Sequence, residues 1–148
     1  MNKQEIWRFT HAGLTVVVKH WGLERQQPFT PLNDGKGVWN YYVFLYESDL
    51  KNRFHEVWLP SKIVKLTPES PGRVTHDYTS APFANVKWHG GITYYAKHGQ
   101  LKGYRSVELG CDFNHLFDHE RGLDYKLDVV VNEAKQTAEE LAEMYLSK

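Results

Sequence analysis

Apolar and polar residues alternate from the first element onward. "EIWRFTHAGLTVVVKHW" reads as a hairpin, with Ile6–Thr10 as one strand, Leu14–His20 as the other, and Gly13 in the turn. A period of two puts Trp7 and Phe9 on one face. "VWNYYVFLYE" is the strongest strand, Val38–Tyr46. Its nearly continuous apolar run predicts burial on both faces. "FHEVWLP" predicts a strand that stops before Pro60, and Ile63–Leu66 a short one. Pro68, Pro71 and Pro82 break longer elements. "VKWHGGITYY" predicts a strand pair bent at His89-Gly90-Gly91, and "GYRSVELGCDF" continues the sheet.

The period changes once. In "DVVVNEAKQTAEELAEMYLSK", Val130, Ala134, Thr137, Leu141 and Tyr145 recur at helical spacing. Glu133, Lys135, Glu139, Glu140 and Glu143 keep the other face wet. The spacing predicts a long helix from about Asp128, capped by that carboxylate. The fold class is therefore α+β: a mostly antiparallel sheet with one long C-terminal helix packed on it, in a single domain over residues 1–148. Between the hairpin and Val38, "GLERQQPFTPLNDGKG" reads as a long loop rich in turn formers.

Charge narrows the picture. Eighteen basic residues balance eighteen acidic ones, which disfavours a bulk nucleic-acid binder. A single cysteine, Cys111, excludes a disulfide framework within the chain and favours a cytoplasmic setting. The N-terminus lacks the apolar core of a signal peptide, and no apolar run approaches the ~20 residues of a membrane helix. Aromatics make up 14% of the chain. They suit a β-rich core, and equally a stacking surface for a planar ligand.

Two stretches carry candidate chemistry. In His89-Gly90-Gly91-Ile92-Thr93-Tyr94, a glycine pair at a strand start can expose successive N–H groups to an anion, or can simply form a bulge or tight bend. In "GCDFNHLFDHERG", Asp112, His115, Asp118 and His119 crowd together, with Cys111 adjacent. "HLFDH" is reminiscent of an H-x-x-E-H zinc motif, but Gly122 closes the stretch quickly and a third ligand would have to come from elsewhere, such as His89. The plain alternative is a loop in which Asp112 and Asn114 bond to the backbone. A Cys111–His89 nucleophile pair is conceivable, although a lone cysteine at an apolar strand end reads better as a small buried hydrophobe. No dinucleotide fingerprint, P-loop or nucleophile elbow is present.

"WRFTHAGLTVVV", "WHGGITYY" and "LGCDFNHLFD", in that order, resemble a group of small phage and prophage proteins. These carry a His-Gly-Gly-[Leu/Ile]-Thr-[Tyr/Phe] motif and a downstream Gly-x-Asp-x-x-His-x-x-Asp motif. The matched positions are His89, Gly90, Gly91, Thr93 and Tyr94, then Gly110, Asp112, His115 and Asp118. The resemblance implies an origin and two clusters that face one another, but no particular activity. It suggests a host-takeover factor, such as a counter-defence protein that sequesters a nucleotide-derived signal.

The expectation is a non-enzymatic binder of a small anionic nucleotide-like ligand, with no metal, no cofactor and no membrane partner. Trp88, His89, Gly90, Gly91, Thr93, Tyr94, Arg105, Asp112, His115 and Asp118 are the expected contacts, with Lys87 and Lys102 as further cations. One alternative is a hydrolase using His89, Asp112 and His115 on a phosphoester or glycosidic bond. Another is an inhibitor of a host protein, anchored by Trp39, Tyr41 or Trp58. Homo-oligomerisation is compatible with all three.

Overall fold

Ala12 and Gly13, with φ of 54° and 82°, make the two-residue turn that a right-twisted hairpin needs. They join β1 (Lys3–His11) to β2 (Leu14–Gly22). The computed structural model describes residues 3–22, 38–113 and 126–146. The expected loop at 23–37 lies outside the described residues, as do Asn114, His115, Asp118, His119 and Gly122.

β3 (Val38–Tyr46) pairs antiparallel with β2 on one side and with β7 (Ser106–Asp112) on the other. β6 (Tyr94–His98) pairs antiparallel with β7 at the far edge. The resulting order is β1-β2-β3-β7-β6. A separate two-stranded hairpin is formed by β4 (Lys62–Val64) and β5 (Arg73–Thr75). α1 (Glu47–Leu50) is one turn, and α2 (Leu127–Tyr145) is the long helix.

The period of two sorts the sheet into two unequal faces. Val16, Val18, Tyr41, Val43, Leu45, Val107, Leu109 and Cys111 form the core face. Helix α2 lays Val130, Ala134, Thr137, Ala138, Leu141 and Tyr145 onto that face. All five stripe residues expected from the sequence are buried. Leu50, Phe54, Val57, Phe83 and Trp88, from the connection between β3 and β6, join the same core. The α+β class and the antiparallel sheet with its packed helix are thus as the sequence predicts.

Four local expectations are corrected. β3 is not buried on both faces: Tyr41, Val43 and Leu45 are buried, while Tyr42, Phe44 and Tyr46 are half-exposed on the other face. The stretch before Pro60 is a 3-10 turn (Lys51–Glu56), not a strand. Phe54 and Val57 are three apart, the 3-10 period, and the Val57 and Trp58 amides donate to the Phe54 carbonyl. No strand runs directly into the Gly-Gly turn; a 3-10 turn (Pro82–Asn85) leads into it instead. Asp128 does not cap α2: Lys126 holds the N-cap position, and Asp128 sits in the first turn, where its charge suits the helix dipole.

Candidate functional site

The Gly-Gly turn is built from the inside. Trp88 is turned into the core, 6% exposed, with its indole N–H donating to the Phe83 carbonyl at 2.9 Å. It stacks on Tyr41 at 5.8 Å. The Tyr41 hydroxyl bonds Thr137 at 2.7 Å and accepts the His89 amide at 3.3 Å. Thr137 also donates to the Lys87 carbonyl. Burial pushes the Tyr41 phenol well above its ordinary range, so it acts as a neutral hydroxyl. This buried network clamps residues 87–89 onto the helix. The chain must then reverse, and Gly90 (φ 69°) and Gly91 (φ 98°) supply backbone angles that side chains oppose. Among the described residues, nothing lies within 4 Å of where a Cβ on Gly91 would stand.

The His89 ring stacks flat on Phe113, with centroids 3.7 Å apart and 6° between planes. Its Nδ1 lies 3.2 Å from Glu133 Oε2 and 3.5 Å from Oε1. A carboxylate at Nδ1 orients the imidazole and fixes its tautomer. The Thr93 hydroxyl donates to Asp112 at 3.5 Å, and the Thr93 amide donates to the Gly110 carbonyl at 3.0 Å. The first motif and the start of the second therefore meet: His89 touches Phe113, and Thr93 touches Asp112. His115 and Asp118 lie outside the described residues.

Other expected contacts are elsewhere. Arg105 precedes β7, whereas Asp112 ends it, so the two are about 20 Å apart along the strand. Arg105 is committed to Glu47 through two bonds of 2.6 and 3.0 Å, and stacks over Phe54 and Trp58. Lys87 Nζ donates to Gln136 at 3.0 Å, and Lys102 is exposed. Tyr41 is buried, and Trp39 and Trp58 pack half-buried against the core, so none is a protruding anchor. Cys111 is buried, and its thiol is pushed up to about 12 by burial. It is an inert core residue rather than a nucleophile. Among the described residues, no group of three or more His, Cys, Asp or Glu is placed to hold a metal ion.

The second face of the sheet carries what the sequence reading missed. Asn40, Tyr42, Phe44 and Tyr46 run down β3, flanked by Arg8, Val17 and Lys19 on one side and Tyr94, Glu108 and His98 on the other. Tyr94, 40% exposed, meets the Tyr42 ring edge-on at 5.2 Å. Arg8 lies over Phe44 at 5.7 Å and Lys19 over Tyr42 at 5.0 Å. His98 pairs with Glu108 at 2.8 Å. A shallow groove of about 450 Å³ runs between Arg8, Lys19, Phe44, Tyr46, His98 and Glu108. Helix α2 and the buried part of the 47–92 connection occupy the opposite face. Thr93 and Asp112 continue the aromatic strip at one end, so the Gly-Gly turn borders the same surface. Alternation in "NYYVFLY" contained this signal; its high apolar content hid it. Glu133 was hidden differently: it sits four residues before Thr137, at the margin of the buried stripe, and reads as a wet-face charge.

Gly110 belongs to this surface. A Cβ there would stand 2.3 Å from Tyr42 Cδ1 and 2.7 Å from Cε1. The missing side chain is the slot in which the Tyr42 ring lies.

Compared with protein-family models, curated proteins and solved structures, the chain matches none.

Proposed function

We propose that this chain is a binding protein that holds its ligand without consuming it. On this reading it sequesters a small anionic, ring-bearing ligand of nucleotide type, as a phage counter-defence protein would. The recognition surface is the second face of the sheet, with the Gly-Gly turn, Thr93 and Asp112 at its border. One observation carries this reading: four aromatic rings, Tyr42, Phe44, Tyr46 and Tyr94, share that face with Arg8 and Lys19. Stacking on such rings is worth about 1–3 kcal/mol per base. A charge-assisted hydrogen bond adds about 1.5–3 kcal/mol. Two stacks and two such bonds give about 5–12 kcal/mol, which brackets the roughly 8 kcal/mol of a micromolar complex before association costs are subtracted. The groove is shallow, which suits a ligand lying flat across strands.

The test incubates nucleotide candidates with the protein, washes it, denatures it by heat and identifies what is released. Intact recovery from the native chain, and loss of recovery from Phe44→Ala, support the proposal. A cleaved product favours the second reading, a hydrolase. The observation behind that alternative is the His89–Glu133 pair, a carboxylate-oriented imidazole of the kind general-base chemistry uses. His89→Ala distinguishes the two: it stops turnover if the chain is a hydrolase and spares stacking on the strip if it is a binder.

A further inference from the structure

We propose that Ser61 is an acyl-accepting nucleophile with His76 as its base, at the foot of the β4–β5 hairpin, and that it takes esters with short apolar acyl chains. This site is independent of the ligand-binding reading, and its nucleophile and base lie on the hairpin, away from the recognition surface.

The hairpin register creates the pair. Lys62 stands opposite Thr75, so the next residues outward, Ser61 and His76, face each other. Ser61 Oγ lies 3.3 Å from His76 Nδ1. Edge strand β6 brings Lys97 Nζ to 3.5 Å from the same oxygen. Lys97 is held there by donation to the Leu59 carbonyl and by the Trp58 ring at 5.1 Å. His76 packs against Tyr95, at 5.1 Å between ring centroids. Partial burial and the Lys97 charge hold its pKa below the ordinary imidazole range. A neutral ring is the form that accepts a hydroxyl proton. Ser61 itself is exposed, so a substrate can reach it.

The period of two supplies the substrate class. Ile63 and Val74 are a cross-strand pair, each two residues from Ser61 and His76 on the same hairpin face. They are 78% and 56% exposed, an apolar pair about 7 Å from the hydroxyl. That spacing fits an acyl chain of a few carbons.

In the reaction, Ser61 Oγ bonds to the ester carbonyl carbon while its proton passes to His76 Nδ1. The Lys97 ammonium faces the oxyanion that develops. The tetrahedral adduct collapses, the carbon–oxygen bond to the leaving group breaks, and the leaving alkoxide takes the proton from His76. Water then adds to the acyl carbon, giving its proton to Nδ1. Ser61 Oγ leaves, recovers that proton, and the carboxylic acid is released. The site is open to water, which weakens its electrostatic stabilisation, so turnover is slow.

The full chain is treated with a fluorophosphonate probe, and the adduct is located by peptide mass mapping. Its rate of reaction with p-nitrophenyl butyrate and p-nitrophenyl acetate is also measured. The native chain should be labelled at Ser61. His76→Asn should slow labelling by about 10²-fold, the usual contribution of a positioned base. Ile63→Ser should slow the butyrate reaction at least about fivefold more than the acetate reaction, since each lost methylene contact is worth about 0.8 kcal/mol. Unchanged thermal melts of both variants would show that the fold is kept. No adduct, an adduct at another residue, or a His76→Asn variant that reacts as fast as the native chain would overturn the proposal.

Discussion

Replacing Gly110 with alanine tests whether the aromatic strip is a built surface. The added Cβ would stand 2.3 Å from the Tyr42 ring and 3.0 Å from the Tyr41 carbonyl oxygen. The carbonyl contact is tight but bearable; the ring contact is not, so Tyr42 must swing away. That forfeits its edge-on contact with Tyr94, worth about 0.5–1.5 kcal/mol. A displaced rotamer costs about 0.5–1.5 kcal/mol more. The extended backbone accepts alanine, which returns about 0.4–1 kcal/mol through the unfolded chain. The net loss is roughly 1–2 kcal/mol, a fall in Tm of about 2–8 °C for a chain of this size. Urea melts of Gly110→Ala, Tyr42→Ala and the double variant isolate the coupling. With the ring already removed, Gly110→Ala should be neutral or stabilising, giving an interaction energy of about 1 kcal/mol or more. Additive costs, within about 0.5 kcal/mol, would refute the slot.

Tyr41→Phe should lower stability by about 1–3 kcal/mol, because Thr137 and the His89 amide lose their shared partner. Hydrogen exchange at the His89 amide should quicken with it; a urea midpoint unchanged from the native chain would remove the network from the account. The raised Cys111 thiol keeps a proton in the folded state that the unfolded chain loses, so its stabilisation is full below the unfolded thiol pKa and declines as pH rises from there toward about 12. Urea midpoints of Cys111→Ala should therefore fall less steeply with alkaline pH than those of the native chain. Equal slopes would show that the thiol titrates alike in both states. Arg105→Leu should lower Tm through loss of its bonds to Glu47 while leaving nucleotide retention within about twofold. A complete loss of retention by a well-folded variant would return Arg105 to the binding surface.

The sheet was legible because its signals are local. Gly13 and the flanking alternation mark the first hairpin, and β3 begins and ends where its apolar run does. Helix α2 shows its buried stripe in the spacing of Val130, Ala134, Thr137, Leu141 and Tyr145. The two motifs sit at strand ends in the sequence, and within the described residues His89 stacks on Phe113 and Thr93 reaches Asp112. What stayed hidden depends on partners distant in sequence. Trp88 beside a histidine looks like a ligand platform, until Phe83 and Tyr41 claim it. Arg105 looks like a phosphate contact, until Glu47 takes it from the far end of the sheet. Phe54 and Val57 suggest a strand, because a three-residue period over one turn cannot be told from alternation in so short a stretch. The aromatic face, which no described helix covers, was missed for a simpler reason. Tyr42, Phe44 and Tyr46 are apolar enough to pass for core, and only the one-sided packing of α2 shows that they are not.

The most direct measurement is an aromatic carbon–proton NMR titration of the full chain with ADP-ribose and with a cyclic dinucleotide. The phosphorus spectrum of the same samples is followed alongside. The account predicts saturable shifts of the Tyr42, Phe44, Tyr46 and Tyr94 ring signals with at least one of these ligands, little change at buried Trp88, and an unaltered covalent state of the ligand. Shifts confined to residues off this face, no saturable shift with either ligand, or the appearance of a hydrolysis product would contradict it.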